Sequence, residues 1–414
     1  MLATVEPPLS AKPMPRPRVS LQDVSTIGEQ TTHVMDQMKS MAYMPNNGKV
    51  APSYNATQLA KLCGVSGSAM LRALERAEED QMPTGVVEDG GKRLFPIADA
   101  RAWVRKLSKG YFKRTPGTRA ATIAIANFKG GVGKTTITVN LAQGLSLKGY
   151  RVLVIDLDPQ GSATSMLGHT PLAIEVEQTF LPLAAGERES IRESVIQTYW
   201  DGVDLVAGNT GLHNAEFYLP ARVIEAQRNG ELFNFEEVLN KGLDSVRDEY
   251  DFILVDNPPQ LGYSTLNALW AADAVMMPVV PEGLSVMSSS QFWTMFDELA
   301  AGVVSLGGRD KDWAWVGVLP SMMQNKSQCQ VMMQYIRSAY GNTVMRSEVP
   351  STAVIEVGGT RLKTVYDFAK YVGDNKTYVR ARDAFDELAF EVEQLTRETV
   401  WGLEPIATDD RSAA

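Results

Sequence analysis

The sequence predicts an α/β protein: a parallel-sheet P-loop NTPase domain, preceded by a helix and a small helical domain. Three observations predict this fold class. From residue 122 onward, short apolar segments rich in β-branched residues alternate with helical patterns, which is typical of parallel sheets covered by helices. A glycine-rich run at 129–136 directly follows the first such segment and opens a helical pattern. Before it, residues 55–107 contain helix and turn signals in quick succession.

Composition excludes several classes of protein. The chain has 414 residues, enough for two or three domains, with ordinary contents of hydrophobic (44%) and charged (21%) residues. Cys63 and Cys329 are its only cysteines, which excludes a disulfide framework and a metal site built on cysteine pairs. His33, His169 and His213 show no ligand spacing. No apolar run approaches the ~20 residues of a membrane helix, so we expect a cytoplasmic protein with no membrane partner.

The net charge of −9 is divided unevenly along the chain. Residues 1–118 carry 16 basic and 11 acidic residues, and the remainder carries 24 and 38, which gives net charges of +5 and −14. A basic front before an acidic body suggests that the front meets nucleic acid.

The first 50 residues predict one isolated helix. Residues 1–19 are proline-rich and are expected to be disordered, and a helical pattern extends over 20–44. Residues recurring at steps of three and four place one apolar stripe on this helix. The stripe consists of Val24, Ile27, Thr31, Val34, Met35, Met38 and Met41.

Residues 50–110 predict a winged helix-turn-helix domain, in the order of a MerR-like winged helix. Gly64 and Val65 form the turn between its first two helices, although any helical hairpin could use the same residues. The expected helices are 57–63, 66–78 and 97–107, and the expected hairpin strands are 85–87 and 92–95.

A basic linker at 109–119 leads into the predicted nucleotide-binding domain, 119–402, which a tail at 403–414 follows. A helix at 379–395 is expected to close this domain. Its expected strands are 123–127, 152–156, 203–207, 252–256, 274–279 and 315–319.

The run at 129–136 has the residues of a phosphate-binding loop. Small residues let backbone N–H groups converge on phosphate oxygens. Lys134 offers a positive charge to the β- and γ-phosphates, and Thr135 offers a hydroxyl to Mg²⁺. Lys129 occupies the position where the common loop pattern has its first glycine. Taken alone, this lysine would be a solvated turn residue.

Three further segments follow the ends of predicted strands, at 154–161, 252–259 and 279–283. Ligands in such sheets bind outside the carboxyl ends of the strands, so all three are expected to converge on the loop. Carboxylates there, among them Asp156 and Asp256, are then candidates for holding hydrated Mg²⁺. The alternative is that Asp156 and Asp158 only form turns.

These residues resemble a known family. Residues 129–136, 156–160 and 256–259 are similar to the deviant Walker A, Walker A′ and Walker B motifs of the ParA family of partition ATPases. The similarity covers about residues 120–400, and the preceding domain resembles the DNA-binding region of the longer, plasmid-type members.

The resemblance implies a role for each residue of the site. Lys134 would bind the phosphates of its own ATP, and Lys129 would reach the partner's phosphates across a sandwich dimer. Asp158 would position the attacking water. Thr135 would bind Mg²⁺ directly, and Asp156 and Asp256 would hold it through waters. The remaining nucleotide contacts would come from Gly130, Gly131, Val132, Gly133 and Thr136, with the adenine near Pro320 and Ser321 or near Pro281 and Glu282.

Two modes of DNA binding are expected. Ser66, Ser68 and Arg72 on the second helix would enter the major groove, with Lys92 and Arg93 of the wing on phosphates. A C-terminal basic set would bind DNA regardless of sequence, unless its members simply form a solvated helix face. This set consists of Arg361, Lys363, Lys370, Lys376, Arg380 and Arg382.

The resemblance implies a DNA-segregation ATPase that forms a homodimer, uses ATP and Mg²⁺, and associates with the nucleoid. A ParB-type centromere-binding protein would stimulate hydrolysis, the helix at 20–44 would dimerise, and the winged domain would repress the protein's own operon. The alternative is an ATP-regulated repressor without partition activity. A MinD-type membrane ATPase conflicts with the short acidic tail, and a nitrogenase-type iron protein conflicts with the positions of the two cysteines.

Overall fold

The computed structural model describes residues 19–42, 48–88, 90–108, 117–305, 307–308, 310–355, 362–368 and 374–404. The chain divides into two compact units, Met1–Tyr43 and Met44–Ala414. In the described part of the chain, no helix is both long enough and apolar enough to cross a membrane.

The first unit contains helix α1, Leu21–Ala42, which confirms the helix predicted there. Ser20 and Asp23 start it with reciprocal bonds: the N–H of Ser20 donates to the Asp23 carboxylate at 2.7 Å, and the N–H of Asp23 donates to the Ser20 hydroxyl at 3.2 Å. Val24, Ile27 and Val34 of the stripe are exposed. The side chains of Met35, Met38 and Met41 lie outside the described residues, and dimerisation through α1 stays a prediction.

The second unit begins with the elements predicted for a winged helix-turn-helix, in the predicted order. Asn55 caps α2 through a capping box with Gln58, and the Ser66 hydroxyl caps α3 by accepting from the N–H of Ala69. The elements are α2 (Ala56–Leu62), α3 (Gly67–Glu75), the antiparallel strands β1 (Val86–Val87) and β2 (Arg93–Leu94), and α4 (Ile97–Leu107).

The main sheet has seven strands in the order β5-β6-β4-β7-β3-β8-β9. Neighbouring strands are parallel except for β5 and β6. The six predicted strands are all present, and the short edge strand β5 was not predicted. The strands are β3 (Ala121–Ile125), β4 (Val152–Asp156), β5 (Ile196–Gln197), β6 (Val203–Val206), β7 (Phe252–Asp256), β8 (Ala274–Val279) and β9 (Trp315–Pro320).

Helices cover both faces of this sheet. Alternate residues of β4 belong to different hydrophobic clusters, with Val152 and Val154 in one and Leu153 and Ile155 in the other, which is why the central strands are apolar throughout. The first cluster includes residues of α5 and α13, and the second includes residues of α10, α11 and α12. The helices are α5 (Lys134–Leu147), α6 (Ser162–Met166), α7 (Leu181–Ala185), α8 (Ala215–Arg228), α9 (Val238–Leu243), α10 (Tyr263–Ala271), α11 (Gly283–Ser305), α12 (Ser327–Tyr340) and α13 (Asn375–Thr399).

The N-terminal helical region packs onto the nucleotide-binding domain within the second unit. Leu59, Met70 and Trp103 from this region belong to the same hydrophobic cluster as Leu141 and Leu145 of α5. The sequence predicted a separate domain and a linker, but most of the linker, 109–116, lies outside the described residues. The N-terminal helical region and the nucleotide-binding domain therefore share one hydrophobic core.

Candidate nucleotide-binding site

The carboxyl ends of five neighbouring parallel strands meet at the edge of the sheet where the sequence predicts the nucleotide. The strands β4, β7, β3, β8 and β9 lie side by side in that order. Asp156 and Asp256 end adjacent strands and are register partners. Ile125, the last residue of β3, is also a partner of Asp256. The glycine-rich loop after β3 therefore starts beside both carboxylates.

The loop between β3 and α5 has the backbone of a phosphate cradle. Gly131 and Gly133 have φ angles of 74° and 91°, a left-handed conformation that favours glycine. A Cβ at Gly131 would meet no atom of the described residues within 4 Å, so this side of the loop has room for a ligand. Helix α5 begins at Lys134, and the N–H groups of its first turn favour an anion.

Asn127 anchors the start of the loop, a role that sequence reasoning missed. Its side-chain N–H donates to the carbonyl oxygen of Pro278 at 2.7 Å, and its Oδ1 accepts from the N–H of Lys129 at 3.0 Å. These two bonds tie the loop to strand β8. The sequence signal for this role was a polar residue directly after an apolar strand segment.

The ammonium of Lys134 lies inside the loop. Its side chain is buried, and Nζ donates to the carbonyl oxygen of Lys129 at 3.2 Å. Burial lowers the pKa of Lys134, whereas the charges of Asp256 and Asp158 raise it. Thr135 and Thr136 follow in the first turn of α5 and are partly exposed.

Asp256 is a buried carboxylic acid, and one of its two oxygens makes no hydrogen bond within the described residues. Burial first, and then the charge of Asp156, raises its pKa to about 8, while the Thr135 hydroxyl and the Lys134 ammonium lower it. Oδ1 accepts from the Thr138 hydroxyl at 3.3 Å, and Oδ2 has no hydrogen-bond partner among the described residues. A hydrated Mg²⁺ fits this pair of oxygens, one from Asp256 and one from Thr135, because hard cations prefer oxygen ligands.

Asp156 uses both of its oxygens to hold the neighbouring loop. Oδ2 accepts from the N–H and the hydroxyl of Thr164 at 2.8 and 2.7 Å, and Oδ1 accepts from the N–H of Asp158 at 3.2 Å. Burial raises its pKa to about 6, and the bonds from Thr164 act in the opposite direction. This arrangement favours positioning of the loop, so its predicted part in holding Mg²⁺ stays a prediction.

Asp158 lies at the turn that Asp156 holds. Its Oδ1 accepts from the N–H of Gln160 at 2.9 Å, its carbonyl oxygen accepts from Gly161, and its side chain is partly exposed. Its other carboxylate oxygen makes no hydrogen bond within the described residues, and its charge acts on the Lys134 ammonium.

Lys129 reaches across the rim of the cradle to the end of β8. Its ammonium pairs with the carboxylate of Glu282 at 3.6 Å, with 30% of the lysine side chain and 64% of the glutamate side chain exposed. Sequence reasoning considered Glu282 only as a possible neighbour of the adenine. The ion pair places it beside the lysine, and its predicted place near the adenine stays a prediction.

Pro320 ends strand β9, two strands from β3, and Ser321 follows it. The N–H of Ser321 donates to the carbonyl oxygen of Val279 at 3.0 Å. Its hydroxyl is buried without a hydrogen-bond partner in the described part of the chain. The described residues contain no group of three or more His, Cys, Asp or Glu side chains that could hold a metal by themselves.

The predicted DNA contacts of the N-terminal region are all at the surface. Ser68, Arg72, Lys92 and Arg93 are exposed, as is Ser66. However, the Ser66 hydroxyl already caps α3 by accepting from the N–H of Ala69 at 3.2 Å. Because Ser66 accepts in this cap, its O–H is still able to donate, and its contact with DNA stays a prediction.

The C-terminal basic set is divided by the structure. Lys363, Lys376 and Arg380 are exposed, whereas Arg361 and Lys370 lie outside the described residues. Arg382 does not fit the prediction, because it pairs with Asp386 at 3.4 Å and covers the ring of Tyr366 at 4.1 Å. A cleft of about 630 Å³ opens beside the first turns of α13. Its charged lining has both signs, from Arg346, Lys376, Arg380, Glu348, Asp383 and Glu387.

The sheet order, the glycine loop and the strand-end carboxylates define a P-loop NTPase. A family model described as an AAA domain matches residues 120–304. A Rhizobium rhizogenes protein, described as a candidate replication protein A, is 30% identical over 371 residues, which cover 87% of this chain and 90% of that protein. SopA of Escherichia coli K12 is 31% identical over 332 residues, which cover 78% and 83%. The chain therefore belongs to the ParA family of partition ATPases.

Solved structures support the fold. One described as "Partition Protein" has a TM-score of 0.66 at 20% identity and covers 90% of this chain and 99% of that one, which supports the fold. Cobyrinic acid a,c-diamide synthase from Mycobacterium smegmatis, solved with bound ADP and magnesium, has a TM-score of 0.52 at 26% identity. It covers 70% of this chain and 99% of that one.

Proposed function

We propose that this protein is a Mg²⁺-dependent, DNA-segregating ATPase whose ATP-bound form is a sandwich dimer that binds DNA without sequence preference. The observation that carries the proposal is the pair of lysines on one loop. Lys134 lies inside the cradle, and Lys129 lies at its rim with its side chain directed to Glu282. In this proposal, Lys134 would bind the subunit's own phosphates, and Lys129 would reach the phosphates that a partner brings.

The loop and the start of α5 would bind the triphosphate of ATP. The N–H groups of residues 130–136 and the ammonium of Lys134 supply positive potential, which phosphoryl transfer needs more than a strong base. Thr135 and the free oxygen of Asp256 would hold Mg²⁺, which neutralises phosphate charge when it is bound. The adenine would lie near Pro320 and Ser321 or near Pro281 and Glu282.

Asp158 would orient the attacking water, and Lys129 of the partner would stabilise charge on the transferred phosphoryl group. Asp156 holds the backbone of Asp158 in place. A lysine supplied in trans acts like an arginine finger, so hydrolysis would require the dimer.

DNA binding and partner control complete the proposal. Lys363, Lys376 and Arg380 on the nucleotide-binding domain would contact DNA backbone in the ATP dimer. A ParB-type centromere-binding protein would stimulate hydrolysis and release the DNA. The protein would act in the cytoplasm, on the nucleoid.

A second candidate function is autorepression through the N-terminal region. The exposed α3 face with Ser68 and Arg72, and the wing with Lys92 and Arg93, favour it. A repressor without partition activity would bind its operator but would not bind random DNA in response to ATP.

Two substitutions test the nucleotide site. Lys134→Gln removes the buried ammonium, so ATP-dependent DNA binding should be lost. Asp158→Ala keeps the cradle but removes the water-orienting group, so ATP should still bind while turnover falls at least about 100-fold. Fluorescent-ATP binding measures nucleotide affinity, and phosphate release measures turnover. Asp297→Ala, which removes an exposed carboxylate on α11, serves as the control. Normal turnover of Asp158→Ala would show that its assigned role is wrong.

A further inference from the structure

We propose that Glu282 is a positioning residue that holds Lys129 on its own subunit and restrains dimerisation until an ATP-bearing second copy docks. This inference rests on the proposed function, in which Lys129 serves the partner's phosphates. It adds a resting partner for the lysine, which no sequence motif indicates.

The ion pair joins two anchored points of neighbouring strands. Lys129 follows β3 and its N–H is fixed by Asn127. Glu282 follows β8, where its N–H donates to the carbonyl oxygen of Val280 at 2.7 Å. The carbonyl oxygen of Glu282 accepts from the N–H groups of Ser285 and Val286, both at 3.0 Å, at the start of α11. Because the backbone is anchored on both sides, the ion pair can open by rotation of the two side chains, without movement of the loop or the helix.

The pair is placed to compete with phosphate. An ammonium at 3.6 Å from a carboxylate has to leave it before it can cross to a second subunit's nucleotide. Because both groups are partly exposed, such a pair changes an equilibrium by about 1.4- to 5-fold. A triphosphate carries more negative charge than one carboxylate, so ATP bound to the partner can displace Glu282 from the lysine.

The occupant of this rim is a second copy of the chain. Directly after Glu282 in the chain, the first turns of α11 expose Leu284 (74%) and Met287 (63%). A copy that receives Lys129 at its nucleotide has to approach over this apolar rim, and would cover both side chains. A symmetric dimer opens two pairs, so removing the restraint should tighten dimerisation about 2- to 30-fold.

Glu282→Gln tests the inference, with Glu298→Gln as a matched control on the exposed surface of α11. The full chain in an Asp158→Ala background, with ATP and Mg²⁺, keeps ATP intact while sedimentation measures the dimer dissociation constant. We expect Glu282→Gln to lower this constant about 2- to 30-fold and Glu298→Gln to leave it unchanged. With Asp158 restored, basal turnover should reach half of its maximum at a lower protein concentration in Glu282→Gln than in the wild type.

A double-mutant cycle separates this role from a structural one. In a Lys129→Gln background, Glu282→Gln should give no further change, because the pair no longer exists. Two results would overturn the inference but not the proposed function. Glu282→Gln could lower the dimer dissociation constant equally with and without Lys129, or it could leave that constant unchanged. If the starting protein binds ATP but forms no dimer, the proposed function and the inference both fall.

Discussion

At the scale of single residues, the site contains charge that the fold must tolerate. Asp256 is fully buried, and its Oδ2 lacks a hydrogen-bond partner within the described residues. An ionised carboxylate in that position is unfavourable without a cation. The pKa of Asp256 is raised to about 8 because burial disfavours its ionised form. We interpret it as a cost that the empty protein bears so that Mg²⁺ and ATP have a place to bind.

Asp256→Asn should stabilise the empty protein in a pH-dependent way. Between the ordinary Asp pKa of about 4 and the folded value of about 8, the folded state keeps a proton that the unfolded state has lost. The free energy of unfolding of the wild type therefore falls as pH rises through this window. Asn carries no such titration, so its Tm advantage should be small near pH 5 (roughly the lower end of the window) and largest, about 2 °C or more, near and above pH 8.

This prediction is measured by thermal unfolding with EDTA and without nucleotide. Asp297→Asn, an exposed carboxylate on α11, is the control and should show no such trend. A Tm difference that stays constant with pH, or that is largest in acid, would contradict the account.

The residues of the site could be predicted from sequence where the chemistry is local. Gly131, Lys134 and Thr135 form a contiguous motif, and Asp256 ends an obvious strand. Asn127 escaped prediction because its partner, Pro278, is 151 residues away in sequence. The ion pair of Glu282 with Lys129 escaped prediction for the same reason, since only the sheet order brings β8 beside β3.

At the scale of elements, helix α5 is held at both ends by different parts of the chain. Its first turn carries the cradle. At its other end, Arg101 of α4 is buried and donates to the carbonyl oxygens of Ser146 at 2.9 Å and Tyr150 at 2.7 Å, and it pairs with Asp201. A cation at the carboxyl end of a helix stabilises it by satisfying the last carbonyls and countering the macrodipole.

Arg101→Ala should destabilise the second unit by about 2–4 kcal/mol, because two buried carbonyl oxygens lose charged donors. The neighbouring Arg105, which is exposed, donates to the carbonyl oxygen of Gly149 at 2.7 Å. Arg105→Ala is therefore the matched control and should cost about 1 kcal/mol or less. Urea unfolding measures both values, and equal costs for the two variants would show that Arg101 does not lock α4 to α5.

Sequence predicted elements best where pattern and length agreed. The six long strands were found because each is an apolar run, and β5 was missed because two residues at an antiparallel edge leave no periodic signal. Helix α5 begins at Lys134, inside the glycine-rich run at 129–136, since its first turn is the Lys-Thr-Thr of the loop. The packing of α4 on α5 depends on long-range bonds of Arg101 that no local pattern indicates.

At the scale of the whole molecule, the second unit combines a nucleotide site with candidate DNA surfaces on one shared core. The exposed cations Lys363, Lys376 and Arg380 lie on the nucleotide-binding domain, and Lys92 and Arg93 lie on the wing. In the proposed function, ATP controls the first surface by joining two copies, whereas the second surface needs no ATP.

The central claim is tested most directly by binding of a random-sequence DNA duplex to the full chain with ATP, with ADP and without nucleotide, over a series of salt concentrations. We expect tight binding with ATP but not with ADP or without nucleotide, and log K should fall linearly with log salt by about 0.9 per phosphate contacted. Lys134→Gln should abolish this binding. Equal affinity with and without ATP, or binding confined to one promoter sequence, would contradict a DNA-segregating ATPase.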